Sequence, residues 1–462
     1  MKEEISKFEK SRKKNWMELN RELFGVLQLG LGFFFIFAAF NSQAFIVLAI
    51  IRNLSSAGEL APNDGYYSKG ILYFTFMFSN LLAPPVISRL GSKWAMVIGA
   101  SSYMFYLLCF LDLKTWIYFT ASALNGIGAA ILWTANGVFL VEISKKENLG
   151  RNSSVMWTVM QTSLLAGASM LALFLGDSDL KSVYRLVYTV FSVVAGAGVL
   201  TLALLPRKRS WYEHTDVSRE PTENSLLGAE AGNDSVKITP PSIAQVFVST
   251  FKLAVSKKMR TLLVVFFFLG IESTFSHGIY PASVAATGQF ADRETILPYL
   301  VFAFGTGVVI SGLILTRKKS ALGNKWVVLL GTILMIAGYL FSYLILPAEA
   351  ALGKTEKLAM IAPNKFLFLI PPFLLGLGDS CWQTQVVTLV GGVWRDKDSA
   401  PAFACFKFFQ AGAACFAYVL GAHFLLHYIL AFIILLIITS TISFFLVHNW
   451  AFKEGTQASE EK

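Results

Sequence analysis

Long apolar runs alternate with short polar connections along the whole chain. They recur near residues 23–51, 69–88, 94–112, 116–143, 153–175, 184–205, 261–283, 297–315, 326–346, 366–392, 402–423 and 427–448. A helix rises about 1.5 Å per residue, so each run is long enough to cross a hydrocarbon core of about 30 Å. The pattern predicts twelve transmembrane helices and an all-α membrane protein. Its first partner is therefore the lipid bilayer.

Composition narrows this reading further. Of 462 residues, 55% are hydrophobic and only 15% charged, an excess of apolar surface that a soluble protein of this size would have to expose to water. The net charge of +10 is mostly an orientation signal: with the N-terminus in the cytosol, 29 Lys and Arg fall in cytosolic segments against 9 on the other side, and Lys407 lies within a span. Both termini are predicted to be cytosolic. No folded soluble region carries a basic patch with interleaved aromatics, so no nucleic acid partner is implied. The opening tail is too charged, and the run after it too long, for a cleaved signal; the first span is expected to stay as a signal anchor. Cys109, Cys381, Cys405 and Cys415 lie inside apolar runs at no zinc or redox spacing and read as packing thiols. There is no phosphate loop with its Lys, no His-Glu-x-x-His and no Gly-x-Ser-x-Gly, and the five His do not cluster. The sequence thus implies no enzyme, no cofactor and no metal site.

A polar stretch at 206–259 separates six spans in 23–205 from six in 260–448, with tails at 1–22 and 449–462. Ser210 to Pro241, rich in Ser, Glu, Asn and Gly, reads as a disordered linker. Near 242–258, Ser242 is placed to cap a helix whose Ile243, Val246, Phe247, Phe251 and Ala254 recur at helical spacing, which predicts an amphipathic helix on the cytosolic leaflet. Of three sequons, at Asn53, Asn152 and Asn233, only Asn53 falls on the non-cytosolic side, so it is the expected glycosylation site. Glu223-Asn-Ser-Leu-Leu227 is one residue short of an acidic dileucine signal, and plasma membrane and endolysosomal membrane both stay open.

The halves resemble one another. Gly126-Ile-Gly-Ala-Ala-Ile-Leu-Trp-Thr-Ala-Asn136 in span four aligns with Gly376-Leu-Gly-Asp-Ser-Cys-Trp-Gln-Thr-Gln385 in span ten, two Gly and one Thr coinciding at an offset of 250 residues. Gln161 in span five falls over Gln410 in span eleven at an offset of 249. The second half therefore reads as a parallel repeat of the first. Two six-helix repeats with cytosolic termini and a long central loop resemble the major facilitator fold, which implies that helices one, four, seven and ten line a central cavity. The turn Val86-Ile-Ser-Arg-Leu-Gly-Ser-Lys93 is similar to that superfamily's gating signature: Arg89, Gly91 and Lys93 match, while Ser88 and Ser92 replace an Asp and an Arg.

A closer resemblance rests on Gly378-Asp-Ser-Cys-Trp-Gln-Thr-Gln385, Asp398-Ser-Ala-Pro-Ala-Phe-Ala-Cys-Phe-Lys-Phe408, Ile131-Leu-Trp-Thr-Ala-Asn-Gly137 and Gly150-Arg-Asn-Ser153. These segments are similar to the uncoordinated-93-like family, close to its branch of orphan major-facilitator-domain proteins. The resemblance covers most of the chain outside the N-terminal tail and the linker. It implies a regulatory or accessory partner of a potassium channel or a membrane receptor.

Polar groups inside the spans keep a second function in view, a secondary transporter of a small solute coupled to protons or cations. Asp379 and Glu272 lie at similar depth on spans ten and seven, and an ionised carboxylate there costs several kcal/mol unless it is compensated. In one reading they bind a cation or a proton, assisted by His277, Gln383 and Gln385. In the other each is a hydrogen-bonded anchor that specifies helix packing beside Gly376 and Gly378. Asn41 and Gln43 in span one, Asn136 in span four and Gln161 in span five are further cavity candidates. Lys407, only about 8 Å into its span, is expected to snorkel towards the cytosol rather than pair with Asp379.

Overall fold

The computed structural model describes residues 2–55, 60–80, 82–144, 149–175, 180–206, 248, 252–291, 295–315, 324–362, 364–394 and 399–460. Its first half consists of α1 (Lys2–Ser55), α2 (Asp64–Ser79), α3 (Ala83–Leu90), α4 (Ser92–Leu108), α5 (Thr115–Ile143), α6 (Leu149–Gln161), α7 (Ser163–Leu175) and α8 (Leu180–Ala203). The second half begins with α9 (Lys257–Thr274), which runs through a π-helical turn (Phe275–Ile279) into α10 (Tyr280–Ala286). It continues with α11 (Leu297–Leu315), α12 (Lys325–Ile345), α13 (Lys365–Val393), α14 (Ser399–His423) and α15 (Leu426–Glu460).

Eleven stretches among the described residues are long and apolar enough to cross a membrane. The twelfth predicted span, near 69–88, is the pair α2 and α3. It is broken because Pro84 and Pro85, at the start of α3, have no N–H to donate to the preceding turn. Asn80 ends α2 by turning its Nδ2 back onto the Phe76 carbonyl at 2.7 Å. Span five bends more gently between α6 and α7, where the Thr162 hydroxyl donates to the Val159 carbonyl at 2.7 Å. The expected N-terminal tail is helical and continuous with the first span. The linker and most of the amphipathic helix expected near 242–258 lie outside the described residues; residues 252–254, at its end, are helical.

The repeat is visible in the packing. In the first half α4 packs on α5, α2 on α5, α1 on α8, α4 on α8 and α1 on α6 and α7. In the second half α12 packs on α13, α11 on α13, α9 on α15, α12 on α15 and α9 on α14, which are the same partnerships six spans later. The bundles meet through α2 on α14, α7 on α11, and the end of α1 on the π-turn and α10. A buried apolar core crosses that interface, running from Phe45, Leu48 and Ile51 of α1 to Ile279 and Val284. Leu173 is 82% exposed, and Val193, Leu204, Leu313 and Phe366 are exposed likewise, an outward apolar surface suited to lipid chains.

Two glycine pairs explain how the central helices approach. A Cβ on Gly126 would lie 2.3 Å from the Leu72 carbonyl of α2, and one on Gly376 would lie 2.2 Å from the Phe304 carbonyl of α11. A Cβ on Gly128 would lie 1.9 Å from Ser102 Oγ of α4, and one on Gly378 would lie 2.3 Å from Met335 Cγ of α12. The first glycine of each pair thus admits the second helix of its bundle, and the second admits the third.

Candidate functional site

With Gly376 and Gly378 fixed against α11 and α12, the residue after them is turned by 100° towards the remaining side of α13. That residue is Asp379, the fifteenth of the 29 residues of α13 and so at the middle of its span. Glu272 is the sixteenth residue of the 30-residue span Lys257–Ala286, at matching depth. The two carboxyl groups face one another in the second bundle. Each is steadied by its own helix one turn later: Ser276 Oγ donates to Glu272 Oε1 at 2.7 Å, and Gln383 Nε2 donates to Asp379 Oδ1 at 3.3 Å. Glu272 is fully buried, and among the described residues its Oε2 has no donor other than the facing Asp379 carboxyl. Asp379 is half-buried.

Other helices complete the surroundings. Tyr339 of α12 lies beside both carboxyls with its hydroxyl unbonded, and the indole N–H of Trp382, whose ring lies 5.2 Å from that of Phe268, is unbonded too. Lys407 of α14 is within electrostatic reach of Asp379 but forms no ion pair with it. Its Nζ donates to Gln410 Oε1 at 2.9 Å and lies over the Phe406 ring. Gln410 is the residue that the repeat sets opposite Gln161.

The other candidates are distributed differently. His277 belongs to the π-turn, and its ring packs edge-on against Phe45 of α1 and Phe304 of α11. Its Nδ1 meets the Ser273 carbonyl at 2.8 Å, and it lies within electrostatic reach of Lys69 of the first bundle. Gln385 accepts from the Asn324 backbone N–H at 2.6 Å and so ties the end of α13 to the start of α12. Gln43 accepts from Tyr188 Oη at 3.3 Å inside the first bundle. Asn41 and Gln161 are half-buried, and Asn136 is buried with its Oδ1 unbonded.

Gly91 forms the turn between α3 and α4 with φ of 76°, a conformation that favours glycine. Arg89 is exposed, Lys93 lies over the Trp94 ring, and Ser92 Oγ donates to Glu142 Oε2 at 2.6 Å. That bond joins α4 to α5, so the turn is tied within its own bundle. Asn53 lies in the last turn of α1 and is only 9% exposed.

Two basic residues matter more than their sequence positions suggested. Arg52 donates to the carbonyls of Ala282 at 3.1 Å and Ala350 at 3.3 Å, to the Ala351 carbonyl, and to Tyr66 Oη at 3.0 Å. It therefore joins α1 and α2 to α10 and to the short 3₁₀ turn Ala348–Ala351 on the face opposite the termini. Beside it Glu349 is held below the usual carboxylate range, chiefly by its hydrogen bond from Lys357. Lys69, read as a span boundary, lies inside α2 and is 2% exposed, its ammonium 5.0 Å from the ring centres of both Phe40 and Tyr106. The available signal was its place in a run that α2 enters five residues earlier, at Asp64.

Comparison with known proteins agrees with this architecture. Residues 56–445 match the family described as "Ion channel regulatory protein UNC-93". The UNC93-like protein MFSD11 of Xenopus tropicalis is 32% identical over 450 residues, covering 95% of this chain and 98% of the relative. Protein unc-93 homolog A of Bos taurus is 25% identical over 425 residues, 84% of each chain. Among solved structures, a POT family transporter in complex with 5-aminolevulinic acid superposes with a TM-score of 0.64 at 11% identity, covering 93% of this chain and 96% of that one. A mutant of the nucleoside transporter NupG gives 0.60 at 13% identity, covering 92% and 99%. At these identities the structures establish the major facilitator fold, while the sequence match establishes more: this chain belongs to the UNC-93 family.

Proposed function

We propose that this protein is a secondary transporter of a small solute, driven by a proton held between Glu272 and Asp379. The carrying observation is the carboxyl pair itself, hydrogen-bonded to one another at mid-span, with, among the described residues, no cation in an ion pair with either group. Two carboxyls in one low-dielectric site suit a shared proton, which α9 and α13 would release when water reaches them. The termini face the cytosol in this reading, supported by the Lys and Arg bias of the connections. A second reading, a regulatory partner of an ion channel or receptor, is favoured by the family's description.

Reconstitution in liposomes carrying a pH-sensitive dye tests the proposal, with amino acids, nucleosides and monocarboxylates as candidate solutes. At least one solute is expected to move protons with it. Glu272→Gln and Asp379→Asn are each expected to slow that flux by about tenfold or more, the factor that loss of about 1.4 kcal/mol produces, with melting temperature little changed. Proton-coupled uptake that survives both substitutions in folded protein would make the pair a packing anchor. Absence of uptake for the whole panel would leave the regulatory reading in possession.

A further inference from the structure

The first bundle contains the chemical counterpart of the carboxyl pair. Lys69 is buried between Phe40 of α1 and Tyr106 of α4, and among the described residues no oxygen accepts a hydrogen bond from its ammonium. The acidic residue nearest along its helix, Asp64, is already engaged by the Ala61 N–H and Thr115 Oγ1, both at 3.1 Å. Cys109, beside Lys69, gives its thiol proton to the Tyr106 carbonyl at 2.9 Å. The neighbouring polar groups are also short of acceptors. Tyr106 Oη faces the Tyr118 hydroxyl, and Gln43, held by Tyr188 in the same tyrosine cluster, has a free Nε2 among the described residues. A buried ammonium and a buried amide N–H with nothing among the described residues to receive their protons call for an acceptor from outside the protein, and the fixed cation selects a negative one.

The surroundings of the cation describe the rest of the ligand. Tyr73, one turn beyond Lys69 on α2, stacks on Tyr418 of α14 across the bundle interface at 5.7 Å, and Phe40 is half-buried beside it. His277 of the second bundle is within electrostatic reach of Lys69. An anion on Lys69 thus has an aromatic wall for an apolar body and touches elements of both bundles.

We infer that Lys69 binds the anionic group of a small organic acid, with Tyr106 as a second donor and Phe40 and Tyr73 flanking the apolar body. That this anion is cargo rests on the transport reading; that it binds does not.

The full-length protein, purified in detergent, is titrated with benzoate, lactate or inorganic phosphate, with benzyl alcohol as the neutral control, while its melting temperature is followed. Benzoate or lactate is expected to stabilise the wild type, and benzyl alcohol is not. Lys69→Gln is expected to weaken the apparent affinity by about 10- to 100-fold, the range for losing a charged hydrogen-bond partner. Tyr106→Phe, which keeps both rings, is expected to weaken it by about threefold to tenfold. Should Lys69→Gln fail to fold, Lys69→Arg and Tyr106→Phe carry the test, the first retaining affinity and the second losing it. No stabilisation of the wild type by either carboxylate, or equal stabilisation of Lys69→Gln, overturns the inference. Phosphate binding as tightly as benzoate overturns the organic-acid class. A carboxylate that binds while no solute of the panel is taken up by liposomes sinks the transport reading alone, and uptake of a neutral solute by protein that binds neither carboxylate sinks this inference alone.

Discussion

Buried charges in this protein are handled in two ways, and the difference shows which of them are structural. Arg52 spends its donors on carbonyls and a phenol, so its burial is compensated inside the fold. Among the described residues Lys69 has only two aromatic faces, worth about 0.5–2 kcal/mol each against several kcal/mol for desolvating an ammonium. Backbone groups follow the same logic. Pro371 and Pro372 lie inside α13, and Pro372 has no N–H for the Phe368 carbonyl four residues earlier. Tyr280 Oη donates to that carbonyl at 2.7 Å and thereby fastens α10 to the outer half of α13. Tyr280→Phe should therefore destabilise the protein by about 1–3 kcal/mol, the cost of a buried acceptor left unmade. Tyr299→Phe, at a site 57% exposed on the apolar exterior, should have little effect. Unfolding both variants in mixed detergent checks this, and equal stabilities would remove the hydroxyl from the account.

Helix packing follows from where side chains are missing. Gly126 and Gly376 lie at equivalent places in the two repeats, and each lets a neighbouring backbone come closer than a methyl group permits. Gly126→Ala and Gly376→Ala should each cost about 1–3 kcal/mol through overpacking, because the obstructing atoms include backbone carbonyls that cannot rotate away. Gly137, with open space where a Cβ would go, should accept Ala without loss. Denaturant midpoints of the three variants decide the matter; a neutral Gly376→Ala would mean that the second repeat does not depend on this contact. The repeated Gly-x-Gly was legible in the sequence because span four and span ten keep it at one offset. The central position of Asp379 was legible as well, since depth follows from counting residues along a helix. Lys69 was not: hydropathy marks where apolar residues begin, whereas α2 begins with Asp64 and buries the polar residues that follow. The pairing of His277 with Phe45 and Phe304 was equally hidden, because it depends on how the π-turn rotates the ring.

At the scale of the whole molecule, polar side chains tie the bundles to one another as well as within themselves. On the face opposite the termini, Arg52 gathers α1, α2, α10 and the 3₁₀ turn before α13, and Tyr67 Oη meets His423 Nε2 at 3.2 Å nearby. On the face of the termini the polar ties among the described residues join neighbours within a bundle: Ser92 to Glu142, Asn152 to Glu22 and Ser144, and Lys258 to Glu454. The central helices α5 and α13 make their main contacts inside their own bundles. The face opposite the termini is thus closed by a polar clasp between the bundles. Arg52 is then the principal polar restraint on the closed face. Arg52→Ala removes its bonds to the second bundle, and losing net hydrogen bonds worth about 1–3 kcal/mol should raise the population of molecules open on that face by roughly tenfold. Ala351→Cys supplies a reporter, since residue 351 is fully buried and its carbonyl survives the change. In a background with the four native cysteines replaced by serine, a membrane-impermeant maleimide applied to that face should modify residue 351 slowly when Arg52 is present and about tenfold faster in Arg52→Ala. Equal rates would mean that the apolar contacts of α1 with α10 hold the face shut unaided, and that Arg52 merely satisfies the carbonyls it touches.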